Sequence, residues 1–182
     1  MDLLVTGGSG FIGCNFMRLM LKKHPGWKIT NLDKLTYAGR MENTKDFASN
    51  KNYCFIKGDI CDKKTVERAV KSAEAVVHFA AESHVDRSIT DPAPFLQSNV
   101  IGTCNLLDSA LKNGIKKFVH ISTDEVYGSI RSGSFKETDR MEPNSPYSAS
   151  KAAAEMFVRA YWKTHGLPAV ITRSSNNYGP HQ

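Results

Sequence analysis

No two cysteines of this sequence share the C-x-x-C spacing of a zinc ribbon or a dithiol redox site: Cys14, Cys54, Cys61 and Cys104 stand apart. They predict reduced, buried or half-buried thiols in a cytoplasmic protein. No run approaches the roughly 20 apolar residues of a membrane span. The N-terminus lacks the basic start and small-residue cleavage site of a signal peptide. Repeats and low-complexity tracts are missing too. His78, His84 and His120 share no metal-ligand spacing, so no metal site is expected. The formal charge is +6, but the lysines come in scattered doublets, Lys22-Lys23, Lys63-Lys64 and Lys116-Lys117. With no basic stripe interleaved with aromatics, a nucleic-acid interface is not expected. Solvated faces account for the charge, with some help in attracting a polyanionic small molecule.

What is present is an alternation of short apolar runs and helical patterns. The 182 residues suffice for one domain, which at this size buries roughly 70% of its unfolded surface. Strands are predicted at Leu3–Thr6, Lys28–Leu32, Tyr53–Ile56, Ala75–Phe79, Phe118–Ile121 and Ala169–Thr172. Helices are predicted near Phe11–Lys23, Lys63–Lys71, Phe95–Asn113 and Pro146–His165, and the crossover near Glu42–Asn50 is the weakest helical pattern. The strand runs are continuously apolar, as for strands covered on both faces. The alternation predicts an α/β fold with a doubly wound parallel sheet. Ser145 suits the N-cap of the last helix and Pro146 its first turn, while Gly166 and Pro168 end it. Ser129–Asn144 has no periodicity, and a loop that long predicts a functional lid or mobile segment.

The stretch Thr6-Gly7-Gly8-Ser9-Gly10-Phe11-Ile12-Gly13 follows the first strand and opens the first helix. Glycines there permit a tight turn and let backbone amides approach a pyrophosphate. Asp33 ends the second strand, 20 residues after Gly13. That is the place of a carboxylate binding the adenosine ribose diol. It would repel a 2′-phosphate, which favours NAD over NADP, although Lys34 follows directly. Asp59-Ile60 suits an edge contact to the adenine. Phe79-Ala80-Ala81 would let a flat cofactor lie close to the backbone.

A second constellation lies downstream. In Ser122-Thr123-Asp124-Glu125-Val126-Tyr127-Gly128 two adjacent carboxylates follow an apolar run, and Tyr147 and Lys151 come later, one helical turn apart. A tyrosine acting as a base near neutrality must drop about three pH units from its ordinary value, roughly 4 kcal/mol. One ammonium at about 4 Å, with an effective dielectric of about 20, supplies roughly that much. Lys151 is expected there, and Thr123 offers a hydroxyl to orient a substrate alcohol.

Together these motifs resemble the nucleotide-sugar 4,6-dehydratases among the extended short-chain dehydrogenase/reductases. The resemblance is carried by TGGSGFIG (Thr6–Gly13), DKLTYAG (Asp33–Gly39), GDI (Gly58–Ile60), HFAAESHVDRSI (His78–Ile89), STDEVYG (Ser122–Gly128), PYSASKA (Pro146–Ala152) and RSSNNYGP (Arg173–Pro180). It implies a Rossmann fold, NAD, a nucleotide-diphosphate sugar of the dTDP-glucose type and a homodimer packed through helices. It also implies that Tyr147 takes the proton from the sugar 4-hydroxyl. Glu125 is then the base at C5, and Asp124 is the acid at the departing 6-hydroxyl. Phe11, Ile12, Lys34, Leu35, Thr36, Ser98 and Asn177 would line the cofactor site. Ser83, Thr123 and Asn176 would touch the substrate, with Ser83 also near the cofactor. Sugar 4-epimerases share the glycine loop and the Tyr-Lys pair, and they are the alternative activity. A non-catalytic NAD-binding module is the alternative of another class. The resembled enzymes continue with a smaller substrate domain, so residues 1–182 resemble the dinucleotide-binding domain cut after NNYGP. NAD binding is expected of it, and turnover only weakly. Exposed apolar surface is expected where that domain would pack.

Overall fold

The computed structural model describes residues 1–182. The six predicted strands form as β1 (Asp2–Thr6), β2 (Lys28–Asp33), β3 (Tyr53–Lys57), β4 (Ala75–His78), β5 (Lys117–Thr123) and β6 (Ala169–Ser174). They make one parallel sheet in the order β3-β2-β1-β4-β5-β6. The order reverses between β1 and β4, where Thr6 pairs with His78. Ligands of such sheets bind beyond the carboxyl ends of the strands at this switch point.

Side-chain alternation divides the core into two layers. Leu4, Leu32, Val76 and Phe118 face one side and pack with Leu106, Leu107 and Val158. Those partners come from helices α5 (Thr103–Lys112) and α6 (Pro146–His165), with α2 (Lys63–Val70) contributing Val66 and Val70 beside them. Leu3, Val5, Ile29 and Val77 face the other side, against Met17 and Leu21 of α1 (Phe11–Lys23). Burial on both faces holds for β1 and β4. It fails for β6, where Val170 and Thr172 are exposed. Val170 there is one of several exposed apolar side chains, as is Tyr178, 91% exposed.

Two elements differ from the helical expectation. The crossover after β2 is a 3-10 helix, Met41–Phe47. The helix predicted at Phe95–Asn113 starts as α4 (Ala93–Phe95), passes through a π-helical segment, Leu96–Gly102, and continues as α5. The short helix α3 (Val85–Thr90) had no periodic signal. The start of α6 is as expected: Ser145 and Ser148 form a capping box and Pro146 occupies the first turn, while Gly166 closes the helix at φ 70°. No helix is long and apolar enough to cross a membrane.

The loop Ser129–Asn144 has no helix or strand, yet it is not free. Asn144 Nδ2 donates to Ser129 Oγ at 2.9 Å, and the Glu142 amide donates to the Val126 carbonyl at 3.0 Å. Phe135 and Met141 pack on Val126, Tyr127 and Ala152. The segment is an Ω-shaped loop pinned at its neck and by two apolar side chains.

Candidate active site

A cleft of about 490 Å³ opens at the switch point. At one end stands the glycine turn. Gly7 has φ 70°, and a Cβ there would lie 2.5 Å from the Ala80 amide nitrogen. Only glycine lets β1 and the end of β4 meet this closely. Gly10 precedes α1 without a side-chain cap, so the first-turn amides of Phe11, Ile12 and Gly13 have no side-chain acceptor. All three residues line the cleft. The turn is braced from β2, because the Gly8 amide donates to Asn31 Oδ1 at 3.1 Å and Asn31 Nδ2 donates to Ser9 Oγ.

Asp33 reaches the cleft from the end of β2. Its two oxygens accept the Ser9 and Leu35 amides, each at 2.8 Å. Burial raises its carboxyl above the ordinary value, and those two amides oppose the rise. Leu35 makes its bond from φ 58°. It is not among the residues lining the cleft, and it shapes the bend that presents Asp33. Lys34 donates to Asp59 Oδ2 at 2.7 Å. Burial would raise Asp59, but Lys34 and the Cys61 amide hold it below the ordinary value. The expected residues Gly7, Gly10, Asp33, Lys34, Thr36, Asp59, Ile60, Phe79, Ala80, Ala81, Ser83 and Ser98 all line the cleft, as do Asn176 and Asn177.

At the other end Thr123, Glu125, Tyr147 and Lys151 converge. Strand β5 delivers Thr123, whose hydroxyl caps a 3-10 turn, Asp124–Tyr127, by accepting the Glu125 amide at 3.2 Å. Helix α6 supplies the other two side chains. The Tyr147 amide donates to Ser88 Oγ at 3.1 Å, fixing the entry of α6 against α3. Lys151 is 4% exposed, and its Nζ donates to the Ile121 carbonyl at 2.7 Å. Burial pushes Lys151 down to about 8, opposed by Glu155.

Electrostatics here correct the expectation for Tyr147. Its phenol is pushed up to about 12 rather than down, by burial first and Glu125 second, with Thr123 opposing. The Lys151 ammonium is engaged with a backbone carbonyl, and burial outweighs any help it gives. Glu125 is raised above the ordinary carboxylate value by burial and by Asp124. Asp124 itself does not line this cleft. It lines a second, more open one of about 840 Å³, with Glu125, Arg173 and residues of the Ω-shaped loop. The acid pair therefore straddles two clefts.

Several site residues had no role assigned from the sequence. Glu82 lines the cleft directly after Ala81, and Ser174 and Ser175 do so at the end of β6; all three lie inside quoted motifs and at or just beyond the carboxyl ends of strands, which is the signal that could have found them. Asn99 is 1% exposed and pairs with Glu82 in both directions, donating to its carbonyl at 2.9 Å and accepting its amide at 2.8 Å. It also donates to Ser150 Oγ, which donates to the Tyr147 carbonyl at 2.7 Å. This bridge depends on the π segment, which no sequence pattern announced.

A family model described as GDP-mannose 4,6 dehydratase matches residues 4–182. The dTDP-glucose 4,6-dehydratase of Streptomyces antibioticus is 52% identical over 187 residues, covering 100% of this chain and 55% of that protein. The crystal structure of DesIV, a dTDP-glucose 4,6-dehydratase from Streptomyces venezuelae with NAD bound, superposes with a TM-score of 0.97 at 49% identity. It is matched over 100% of this chain and 58% of that one. A UDP-glucose 4-epimerase from Thermotoga maritima with UDP-glucose superposes at 0.91 with 34% identity, over 100% and 58%. The chain thus spans just over half the length of the relatives it matches. With a parallel Rossmann-type sheet, a glycine turn at its switch point and the family model matched from Leu4 to Gln182, the chain belongs to the GDP-mannose 4,6 dehydratase family.

Proposed function

We propose that the protein is a nucleotide-sugar 4,6-dehydratase that converts dTDP-glucose to dTDP-4-keto-6-deoxyglucose with NAD held in the larger part of the cleft. The observation that carries this reading is the pair Asp124-Glu125 on a Thr123-capped turn, beside Tyr147 and Lys151. The dehydratase relatives support it. So does the fit of the cleft to a dinucleotide: uncapped first-turn amides for a pyrophosphate, and a partly buried carboxylate, Asp33, for a ribose diol. Lys34 is neutralised by Asp59 and so is not free to meet a 2′-phosphate, which favours NAD over NADP. When bound, NAD supplies a hydride acceptor for sugar C4 and a hydride donor for C6, so the cycle involves no net oxidation.

The chain's own groups move the protons. Tyr147 accepts the proton of the 4-hydroxyl. Its phenol starts near 12, so added positive charge must lower it. Lys151, near 8, is largely charged at neutral pH and stands one turn away on α6. Glu125, raised by burial and by Asp124, is a stronger base than an ordinary carboxylate, which suits removal of the C5 proton. Asp124 donates to the departing 6-hydroxyl, which leaves as water, and the proton held by Glu125 returns to C5. Ser83, Thr123 and Asn176 orient the sugar.

Three accompanying readings follow. Residues 1–182 form the dinucleotide-binding domain and bind NAD on their own. The active protein is a homodimer, supported by exposed Leu96 and Ile101 on one helix and Phe157 and Trp162 on its neighbour. Its place is the cytoplasm, supported by four free thiols. Mass spectrometry after incubation of the complete reading frame with NAD and dTDP-glucose tests the activity. Loss of one water per sugar is expected, whereas unchanged mass with inversion at C4 would replace the reading by a 4-epimerase.

A further inference from the structure

Arg173, on β6, is held on several sides by groups from three elements: α6, the 3-10 turn and the Ω-shaped loop. Its Nε donates to Glu155 Oε1 at 3.0 Å and its Nη2 to Oε2 at 2.6 Å. The Glu155 side chain is fully buried and lies one turn beyond Lys151 on α6. Nη1 donates to the Tyr127 hydroxyl and, at 3.5 Å, to the Glu137 carbonyl. Nη2 also meets Met141 Sδ at 3.6 Å. The guanidinium carbon stands 4.7 Å from the centroid of the Tyr127 ring, whose other neighbour is Phe135, stacked at 4.9 Å. Tyr127 is the last residue of the turn that carries Asp124 and Glu125.

A buried forked ion pair contributes little net stability compared with an apolar filling, but its fork fixes direction. Here that direction joins the helix of Tyr147 and Lys151 to the turn of Asp124 and Glu125. The same side chain closes the Ω-shaped loop over the cleft that Asp124 lines. Gly128, at φ 84°, completes the neck, since a Cβ there would lie 2.4 Å from the Glu142 carbonyl oxygen.

We propose that Arg173 is a positioning residue for dehydration: braced by Glu155, it holds Tyr127 and the Ω-shaped loop so that Asp124 and Glu125 keep their register with Tyr147 and Lys151. It touches no reacting atom. The inference rests on the dehydratase reading for its kinetic consequence and on geometry alone for its structural one.

Removing Arg173 outright leaves Glu155 buried without a partner and risks unfolding. The primary variant is therefore Tyr127→Phe, which deletes one hydroxyl, with Arg173→Lys as the conservative replacement that keeps charge and loses the fork. In the complete protein with dTDP-glucose, the proposal expects Tyr127→Phe to leave oxidation at C4 intact. Water loss slows about tenfold, so reduced cofactor accumulates and its absorbance rises. Arg173→Lys shows the same split more strongly. Independently of turnover, the Glu125 carboxyl, followed by NMR titration of residues 1–182, moves toward its ordinary value in Tyr127→Phe as the turn loosens. Wild-type water-loss rates together with an unchanged Glu125 titration overturn the proposal. Equal losses of oxidation and dehydration that track a lower melting temperature overturn it too, because a merely structural brace predicts them. If the wild-type protein eliminates no water, the dehydratase reading fails, and the Glu125 titration alone then decides the role of Arg173.

Discussion

The two ends of the main cleft are built by different means. The cofactor end is mostly backbone: a glycine turn, uncapped helix amides, and a carboxylate oriented by two neighbouring amides. The proton-transfer end is side chains brought from β5, a 3-10 turn and α6, and their ionisation is governed by burial. Backbone sites are specified by local spacing, since a turn either permits close approach or does not. Side-chain sites depend on what lies around them, which sequence neighbours do not supply.

The sharpest way to break this contrast is a variant that silences one end without touching the other. Asp124→Asn is expected to slow water loss by about 10²–10⁴-fold, the range of general acid catalysis. NAD affinity should stay unchanged in calorimetry, since Asp124 does not line the cofactor cleft. A loss of NAD affinity would show the ends to be coupled. The converse is Gly7→Ala. Its left-handed backbone costs about 1–2 kcal/mol for a residue with a Cβ, and the Cβ would press on the Ala80 backbone. NAD affinity is expected to fall about 100-fold, or roughly 2.7 kcal/mol, and an unchanged Kd would remove the turn from the cofactor site.

The buried histidines sharpen the contrast through pH. His78 is pushed down to about 3 by burial and by Lys151, and is hydrogen-bonded to Thr6 and Thr103. His120 is lowered for the same reasons, and its two ring nitrogens have no partner. In the unfolded chain both titrate near 6.5. Below that pH the unfolded chain binds protons that the folded one refuses, so acid destabilises the fold until His78 itself titrates. For His78 the loss at pH 5 is about 2 kcal/mol, and His120 adds to it in the same direction. Urea midpoints at pH 7 and pH 5 should differ accordingly, and His120→Leu should abolish its share while costing little at pH 7. Lys151 acts in the same sense at higher pH: its penalty is full below about 8 and vanishes above its unfolded value of about 10.4. The smallest expected effect is at Leu35. Leu35→Gly relieves φ 58° but frees the unfolded chain, for a net gain of about 0.5 kcal/mol in stability. A loss above that size would show its side chain to hold the Asp33 bend.

What was legible follows the same division. Six strands, the glycine turn and Asp33 could be read because apolar runs, glycine spacing and the strand-end position each answer to one local rule. The Ser145 cap of α6 was equally local. Tyr147 and Lys151 could be named but not their charge states, because spacing says nothing of the burial that sets them. Asp124 could be placed beside Glu125, yet not on the far side of it, since a 3-10 turn sends neighbouring side chains in different directions. Arg173 heads the RSSNNYGP motif, yet nothing local announced what it braces; its partners lie 18 to 46 residues away.

The π segment Leu96–Gly102 has a consequence for bookkeeping along the chain. A π turn closes its bonds one residue later than an α turn, and one residue is worth about 100° of helical rotation. Faces counted from Ala93 therefore fall out of phase with faces counted from Thr103. A surface redesign of α5 that starts its heptads upstream of the π segment will misplace its polar positions, whereas counting within Thr103–Lys112 keeps their phase.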